Sequence, residues 1–162
     1  MARHILPQPG LGTYRLKEQA VIDSVTSALE LGYRHLDSAQ MYENEAAVGK
    51  AIHQSGIARD ELFITTKIWW DKLEPKQLTA AIEQSLENFG LDQLDLVLIH
   101  WPSPNGEVPM ADTIGALDSA RARGLTRHIG VSNFTIGQID EALTLPGGEN
   151  IVTNQIEVHP FL

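Results

Sequence analysis

Residues 96–102 read Leu96-Val97-Leu98-Ile99-His100-Trp101-Pro102, four aliphatic residues followed by a histidine, a tryptophan and a proline. A short apolar run without polar alternation is typical of a strand that is buried on both faces, as in a parallel sheet. The histidine comes where that run ends, and the proline begins a turn. The stretch therefore predicts a buried parallel strand with a polar residue at its carboxyl end.

Short apolar runs of this type recur along the chain, and longer segments with helical spacing separate them. The predicted strands, each bounded by turn residues, are 10–14, 33–39, 63–69, 94–101, 128–134 and 152–159. The predicted helices, with apolar residues three or four positions apart, are 17–31, 44–54, 75–89, 111–123 and 135–143. Four glycines just after helical segments predict left-handed helix ends: Gly32, Gly56, Gly90 and Gly124.

This alternation, about 30 residues per unit, predicts a parallel sheet covered by helices. No linker divides the chain, so we expect one domain over residues 1–162. An open doubly wound sheet and a (β/α)8 barrel both fit the alternation. The doubly wound sheet usually carries a G-x-G-x-x-G turn, and Gly10-Leu11-Gly12-Thr13-Tyr14-Arg15 lacks the third glycine. The position of the polar residues favours the barrel.

Catalytic residues of a βα barrel lie at the carboxyl ends of its strands and on the loops that follow. Polar residues at such positions are Asp37, Tyr42, Lys67, His100, Ser132, Asn133, Gln155 and Glu157, the last two within the predicted sixth strand. Taken singly, Asp37 could cap a helix, Lys67 could extend to solvent and His100 could donate to a backbone carbonyl. Because ionisable residues in buried strands are costly unless paired, their common position predicts one shared site.

Composition limits the class of partner. The formal net charge of −9 argues against a nucleic-acid or anionic-membrane surface, which needs a basic face. The chain has no cysteine, which excludes disulfides, thiol catalysis and cysteine-ligated metals. The sequence shows neither a signal peptide nor an apolar run of transmembrane length. We therefore expect a soluble cytoplasmic protein without nucleic-acid or membrane partners.

A metal site is the main chemical alternative, because barrels often carry histidines at strand ends. His100, His128 and His159 lie on three different predicted strands, but no His-x-His pair occurs. His128 opens its predicted strand, at the end opposite the polar cluster. We therefore expect no metal.

Five motifs carry a family resemblance. They are Gly32-Tyr33-Arg34-His35-Leu36-Asp37-Ser38-Ala39-Gln40-Met41-Tyr42-Glu43-Asn44-Glu45, Thr66-Lys67-Ile68-Trp69, Leu96-Val97-Leu98-Ile99-His100-Trp101-Pro102, Ile129-Gly130-Val131-Ser132-Asn133-Phe134 and Asn154-Gln155-Ile156-Glu157-Val158-His159-Pro160. In this order they resemble the aldo-keto reductase family, and the resemblance extends from about Gly10 to Leu162. Within that family it is strongest to the bacterial branch that reduces 2,5-diketo-D-gluconate or methylglyoxal.

The resemblance implies an incomplete (β/α)8 TIM barrel of about six parallel strands and the NADPH-dependent reduction of small aldehydes and ketones. It assigns Tyr42 as the general acid, with Lys67 lowering the pKa of its phenol. Asp37 pairs with Lys67, and His100 orients the substrate carbonyl. The four groups are expected to titrate as a coupled set.

The resemblance also implies binding residues. Those for the cofactor are Gly12, Thr13, Asp37, Ser132, Asn133 and Gln155; those for the substrate are Tyr14, Trp69, His100 and Trp101. Trp70 receives no role. The alternative for Ser132 and Asn133 is a cap for the helix that follows them.

The chain is short for this fold, since a complete barrel needs about 250 residues. In the family, the seventh and eighth strands supply the aromatic residue that stacks on nicotinamide and the basic residues that bind the adenosine phosphate. We therefore expect residues 1–162 to be the first six strands of a working reductase, with edges on strands one and six that promote association. The alternatives are a short product that needs a partner and a non-catalytic redox-sensing or scaffold barrel.

Overall fold

The computed structural model describes residues 5–162 and contains one six-stranded parallel sheet with its strands in sequence order. The strands are Gly10–Gly12 (β1), His35–Asp37 (β2), Phe63–Ile68 (β3), Leu94–Ile99 (β4), Thr126–Ser132 (β5) and Ile151–Gln155 (β6). Sequential order excludes the doubly wound sheet, whose strand order reverses at a switch point. The sheet curls into part of a barrel, which confirms the predicted incomplete (β/α)8 fold.

Five helices cover the outer face of the sheet. They are Glu18–Glu30 (α1), Glu45–Ser55 (α2), Pro75–Phe89 (α3), Met110–Ala122 (α4) and Ile136–Thr144 (α5). Each lies within one residue of its predicted bounds. The four predicted helix-ending glycines all have positive φ, between 66° and 93°. The buried layer between helices and sheet is aliphatic and includes Val25, Ile64, Ile82, Val97 and Leu117.

The predicted strands extend too far at their carboxyl ends. The strand predicted to end at Trp69 stops at Ile68, and a short 3-10 turn, Trp70–Lys72, follows. The strand predicted to include Glu157 stops at Gln155. At the other end, β5 begins two residues before His128. Apolar and aromatic residues of the loops resemble strand residues in composition, and composition alone does not show where pairing ends.

The period of two along each strand decides which side chains face the barrel interior. Leu36, Ile64 and Ile68 pack into the buried layer beneath the helices. Asp37 directly follows Leu36 and Lys67 directly precedes Ile68, so these two side chains point to the inner face. Register brings Asp37 opposite Thr65, two residues before Lys67 and on the same face of β3. Two charged residues on neighbouring strands thus meet inside the barrel.

The sheet has two free edges in the part of the chain that the structure describes. There β1 pairs with β2 alone, and β6 pairs with β5 alone. This agrees with the edges expected from the sequence. Within residues 5–162, every helix is too short or too polar to span a bilayer.

Candidate active site

Lys67 lies at the centre of the polar cluster. Its side chain is almost fully buried, with 2% exposure, and its ammonium group forms an ion pair with the carboxylate of Asp37. The same Nζ donates to the backbone oxygen of Ser38 at 2.8 Å. Because a buried ammonium group is costly without partners, this pairing explains how β3 tolerates a lysine. The reading of Lys67 as a solvent-reaching lysine is therefore wrong.

Tyr42 ends a short 3-10 turn, Gln40–Tyr42, in the loop after β2. Lys67 Nζ lies 5.1 Å from the centroid of its ring. The ring centroid is 5.7 Å from that of His100 and 5.0 Å from that of Tyr14. The structure thus brings together the four side chains that the sequence assigned to catalysis, from β2, its loop, β3 and the end of β4.

Burial, followed by the charge of Asp37 and by Tyr14, raises the pKa of Tyr42 to about 12. The net shift is upward in residues 5–162, so any lowering of this pKa by Lys67 is outweighed there by burial and Asp37. Lys67 lies over the ring and forms an ion pair with Asp37, so the carboxylate offsets its charge. The phenol therefore remains protonated at neutral pH and can act as a proton donor.

His100 follows β4 and packs edge-on against Trp69, with ring centroids 4.8 Å apart. Burial and the nearby charge of Lys67 lower the pKa of His100 to about 4. The imidazole is therefore neutral at neutral pH, with one nitrogen as donor and the other as acceptor. Its Nδ1 is buried and has no hydrogen-bond partner within residues 5–162.

The residues predicted to bind nicotinamide form a chain of hydrogen bonds across β5 and β6. Ser132 Oγ donates to the backbone oxygen of Gln155 at 2.9 Å, and Asn133 Nδ2 donates to the backbone oxygen of His100 at 2.9 Å. Gln155 Nε2 donates to Asp37 Oδ2 at 2.8 Å. The alternative reading of Ser132 and Asn133 as a helix cap is wrong, because Thr135 caps α5.

The first loop holds its two predicted cofactor residues differently. A Cβ added to Gly12 would meet nothing within 4 Å, so open space lies beside the end of β1. Thr13 is fully buried, and its hydroxyl lies 3.3 Å from the backbone oxygen of Asp37. Its backbone N–H donates to the same oxygen. Gly12 is thus open to a ligand, whereas Thr13 packs the loop against β2.

A cavity of about 380 Å³ opens above the cluster. Its predicted lining residues are Tyr14, Tyr42, Trp69, His100, Trp101, Ser132, Asn133 and Gln155. Met41 and Ile156 also line it without a predicted role, and so does Glu157, which the sequence placed among the polar residues of the shared site but not among the binding residues. In the sequence, only their neighbours point to the cavity. Met41 precedes Tyr42, the predicted general acid, and Ile156 and Glu157 directly follow β6. Trp70 does not line this cavity.

The histidines considered for metal binding do not meet. His128 stacks on Phe63, with centroids 6.3 Å apart, near the amino ends of β3 and β5. His159 contacts Glu157 beyond the end of β6. Over residues 5–162, no group of three or more His, Cys, Asp or Glu side chains is arranged to hold a metal.

This arrangement sets a protonated phenol and a neutral imidazole at an aromatic cavity, with an ammonium–carboxylate pair behind the phenol. Such a site can deliver a proton to an oxygen atom of a bound molecule and stabilise negative charge on that atom.

The sequence is similar to those of known proteins. The sequence model of the Aldo/keto reductase family matches residues 8–162. The methylglyoxal reductase DkgB of Escherichia coli O157:H7 is 54% identical over 157 residues, which cover 97% of this chain and 59% of that protein. The methylglyoxal reductase DkgA of Salmonella typhimurium is 40% identical and is covered to 56%.

Solved structures agree with these relatives. A crystal structure of an aldo/keto reductase from Brucella melitensis superimposes with a TM-score of 0.89 at 40% identity, covering 96% of this chain and 60% of that one. The predicted similarity to bacterial methylglyoxal reductases is confirmed. The chain spans about three-fifths of the length of the curated relatives it matches.

Proposed function

Since the chain belongs to the aldo/keto reductase family, we propose that the complete protein reduces small aldehydes and ketones to alcohols with NADPH. One observation carries the proposal: a protonated Tyr42 faces the cavity beside the buried Lys67 and the neutral His100. The names of the relatives support methylglyoxal as a substrate, and 2,5-diketo-D-gluconate is the second candidate.

The residues near the cavity fit a nicotinamide ring with its carboxamide. Asn133 Oδ1 and Gln155 Oε1 have no hydrogen-bond partner within residues 5–162, although their amide nitrogens do. Free acceptor oxygens suit the amide group of a carboxamide. The open space beside Gly12 leaves room for the cofactor along β1. When bound, NADPH supplies the hydride; Ser132, Asn133 and Gln155 would hold its nicotinamide end.

Tyr42 supplies the proton in this proposal. As the substrate carbonyl is reduced, its oxygen becomes more basic and takes the proton from the phenol. Lys67, 5.1 Å from the ring centroid, stabilises the tyrosinate that is left. Asp37 keeps the ammonium group charged and in place. General acid catalysis of this kind contributes about 10²–10⁴-fold to rate.

His100 acts through its neutral ring. An imidazole with a pKa near 4 does not itself donate a proton at neutral pH, so it leaves proton transfer to Tyr42. It orients the carbonyl oxygen by donating a hydrogen bond, and it stabilises the negative charge that develops there. Tyr14, Trp69 and Trp101 form the walls that position a small substrate.

The proposal concerns the complete protein, because residues 1–162 span only part of the length of the relatives. We propose the cytoplasm as its location. We expect this segment alone to bind NADPH weakly, since its cavity residues contact only the nicotinamide end and association carries a substantial entropy cost. The alternative is a non-catalytic barrel, which would show no carbonyl-dependent NADPH oxidation at any length.

The test is an assay of the complete protein with NADPH and a panel of carbonyls that includes methylglyoxal and 2,5-diketo-D-gluconate. We expect oxidation of NADPH that depends on the carbonyl, and slower oxidation of NADH under matched conditions. A folded, complete protein that oxidises NADPH with none of the carbonyls would refute the proposal.

A further inference from the structure

Asn44 occupies the position that normally caps a helix, yet its side chain does not cap α2. It directly precedes α2, and its backbone oxygen accepts from Val48 N at 3.0 Å, as an N-cap residue does. Asparagine is favoured here because its side-chain oxygen usually accepts from the first-turn N–H groups. Among the described residues, no such bond forms. The side chain points elsewhere, so another interaction determines its orientation.

The buried amide of Asn44 joins two loops of the candidate active site. Its Nδ2 donates to the backbone oxygens of Thr13 at 2.9 Å and Leu16 at 3.0 Å, both in the loop after β1. Its Oδ1 accepts from Ser38 Oγ at 2.8 Å, in the loop after β2. The residue is only 3% exposed. Both amide donors are therefore used on the first loop, and Oδ1 accepts its short hydrogen bond from the second, with Thr13 Oγ1 more distant at 3.5 Å.

Each loop carries a part of the proposed chemistry. Ser38, held by its hydroxyl, presents its backbone oxygen to Lys67 Nζ at 2.8 Å. The loop after β1 carries Tyr14, whose ring packs on Tyr42 and lines the cavity. Lys17, the N-cap residue of α1, donates from Nζ to the backbone oxygen of Tyr42 at 2.7 Å. Asn44 thus connects Ser38, whose backbone oxygen accepts from Lys67, to the 13–16 loop, which carries Tyr14 at the cavity wall.

We propose that Asn44 is a positioning residue for the reduction: it fixes Ser38 for Lys67 and fixes the 13–16 loop for the substrate cavity. This inference rests on the proposed function. The Ser38 side acts on turnover, because it orients the ammonium group that stabilises tyrosinate. The 13–16 side acts on substrate binding, because it places Tyr14. A purely structural asparagine would change stability and neither kinetic constant.

The test uses the complete protein with NADPH and methylglyoxal, and compares Asn44→Ala, Ser38→Ala and the double variant. A displacement of about 1 Å in an active site can cost 10²-fold in rate. We expect Asn44→Ala to lower kcat by about 10- to 100-fold and to raise KM several-fold. Ser38→Ala should lower kcat by about 10-fold with KM unchanged. The double variant should have the kcat of Asn44→Ala, because both changes break the same contact.

Asn150→Ala is the matched control. Asn150 also uses its side-chain amide, donating from Nδ2 to Asp118 Oδ1 at 3.0 Å, but it lies before β6 at the opposite end of the sheet. This variant should lose stability and keep both kinetic constants. If Asn44→Ala has the kinetics of the control, the positioning role is overturned. If Asn44→Ala does not fold, Ser38→Ala decides, and an unchanged kcat overturns the proposal.

A wild-type protein without carbonyl-dependent activity would refute the proposed function separately. The role of Asn44 is then read from crystal structures of Asn44→Ala or, should that variant not fold, of Ser38→Ala. We expect displacement of Tyr14 in the first variant and loss of the Lys67–Ser38 hydrogen bond in both. Unchanged positions of these groups would contradict the positioning role of Asn44.

Discussion

Two partnered carboxylates, the buried Asp95 and the part-buried Asp37, lie at opposite ends of the sheet and have different surroundings. Asp95, near the amino end of β4, accepts from Arg59 Nη2 at 2.6 Å and Ile64 N at 2.8 Å, and its other oxygen lies 3.2 Å from Arg127 Nη1. Asp37, at the carboxyl end of β2, pairs with Lys67 and accepts from Gln155. Both carboxylates are fully partnered, so pairing alone does not separate a structural ion pair from a catalytic one.

The neighbours of each carboxylate make the distinction. At the amino end, His35 lies within hydrogen-bond distance of Pro7 O at 3.2 Å and Thr65 Oγ1 at 3.0 Å through its two ring nitrogens. At the carboxyl end, within residues 5–162, Tyr42 and His100 line the cavity, and neither side chain donates or accepts a hydrogen bond. Unused hydrogen-bonding capacity beside a cavity is what a substrate requires. We infer that the amino end stabilises the fold and the carboxyl end performs the chemistry.

Removal of the amino-end carboxylate should have the largest effect on stability. In Asp95→Ala, two arginines lose their partner and the buried N–H of Ile64 loses its acceptor, which costs about 3–5 kcal/mol of unfolding free energy. Urea denaturation of the complete protein measures this cost. The value of kcat under folded conditions should stay within about twofold, because no catalytic group moves. A large fall in kcat at unchanged stability would contradict the structural role of Asp95.

Removal of the ammonium group of Lys67, at the carboxyl end, should affect turnover more than stability. Lys67→Met keeps a long side chain in β3 but leaves tyrosinate without its positive charge, so kcat should fall by about 10² or more. Steady-state kinetics with methylglyoxal measure the fall, and an NADPH titration provides the control for cofactor binding. Retention of wild-type kcat would mean that Lys67 has a structural role similar to that of Arg59.

His100 should make the complete protein less stable in acid. The folded state holds its pKa near 4, whereas an unfolded histidine titrates near 6.5. The unfolded state therefore takes up the proton first, and stability present above pH 6.5 is lost as the pH falls towards 4. We expect a contribution on the order of 2 kcal/mol, reduced from the full shift because the ring contacts the open cavity.

The measurement is urea denaturation at a series of pH values, with His100→Asn beside the wild type. The variant should lose part of the slope between pH 6.5 and 4. Burial also lowers the pKa of His35, so some slope should remain in the variant. Identical slopes in the two proteins would show that the imidazole of His100 is not held neutral by the fold.

Substitution of the carboxyl-end carboxylate should produce a smaller, local change. The charge of Asp37 raises the pKa of Tyr42, so Asp37→Asn should lower that pKa from its value of about 12. Alkaline titration followed by tyrosinate absorbance measures it, with Tyr42→Phe versions of both proteins subtracted to isolate the one phenol. A pKa that rises or stays constant would contradict the proposed electrostatics.

Much of the fold and part of the site follow from local sequence patterns. The bounds of α3 match the prediction because Pro75 and Gly90 mark its ends chemically. Asp37, Lys67 and His100 stand out because they interrupt apolar strands at one end. Asp95 interrupts a strand as well, and its two arginine partners come from a turn and another strand, so only the structure shows that they meet.

Other features depend on distances that no local pattern contains. The pKa of Tyr42 depends on burial, Asp37 and Tyr14, and the sequence gives no measure of these three contributions. Asn44 has the sequence signature of an ordinary helix cap, and its contacts with Thr13 and Leu16 lie 28 or more positions away. Residues near in space and far in sequence therefore account for most of what was missed.

The central claim is that Tyr42 delivers the proton, and Tyr42→Phe tests it most directly because it removes only the hydroxyl. In the complete protein, the account predicts that kcat for NADPH-dependent reduction of methylglyoxal falls by about 10²–10⁴-fold while NADPH binding is largely retained. Near-wild-type turnover by a folded Tyr42→Phe protein would contradict it.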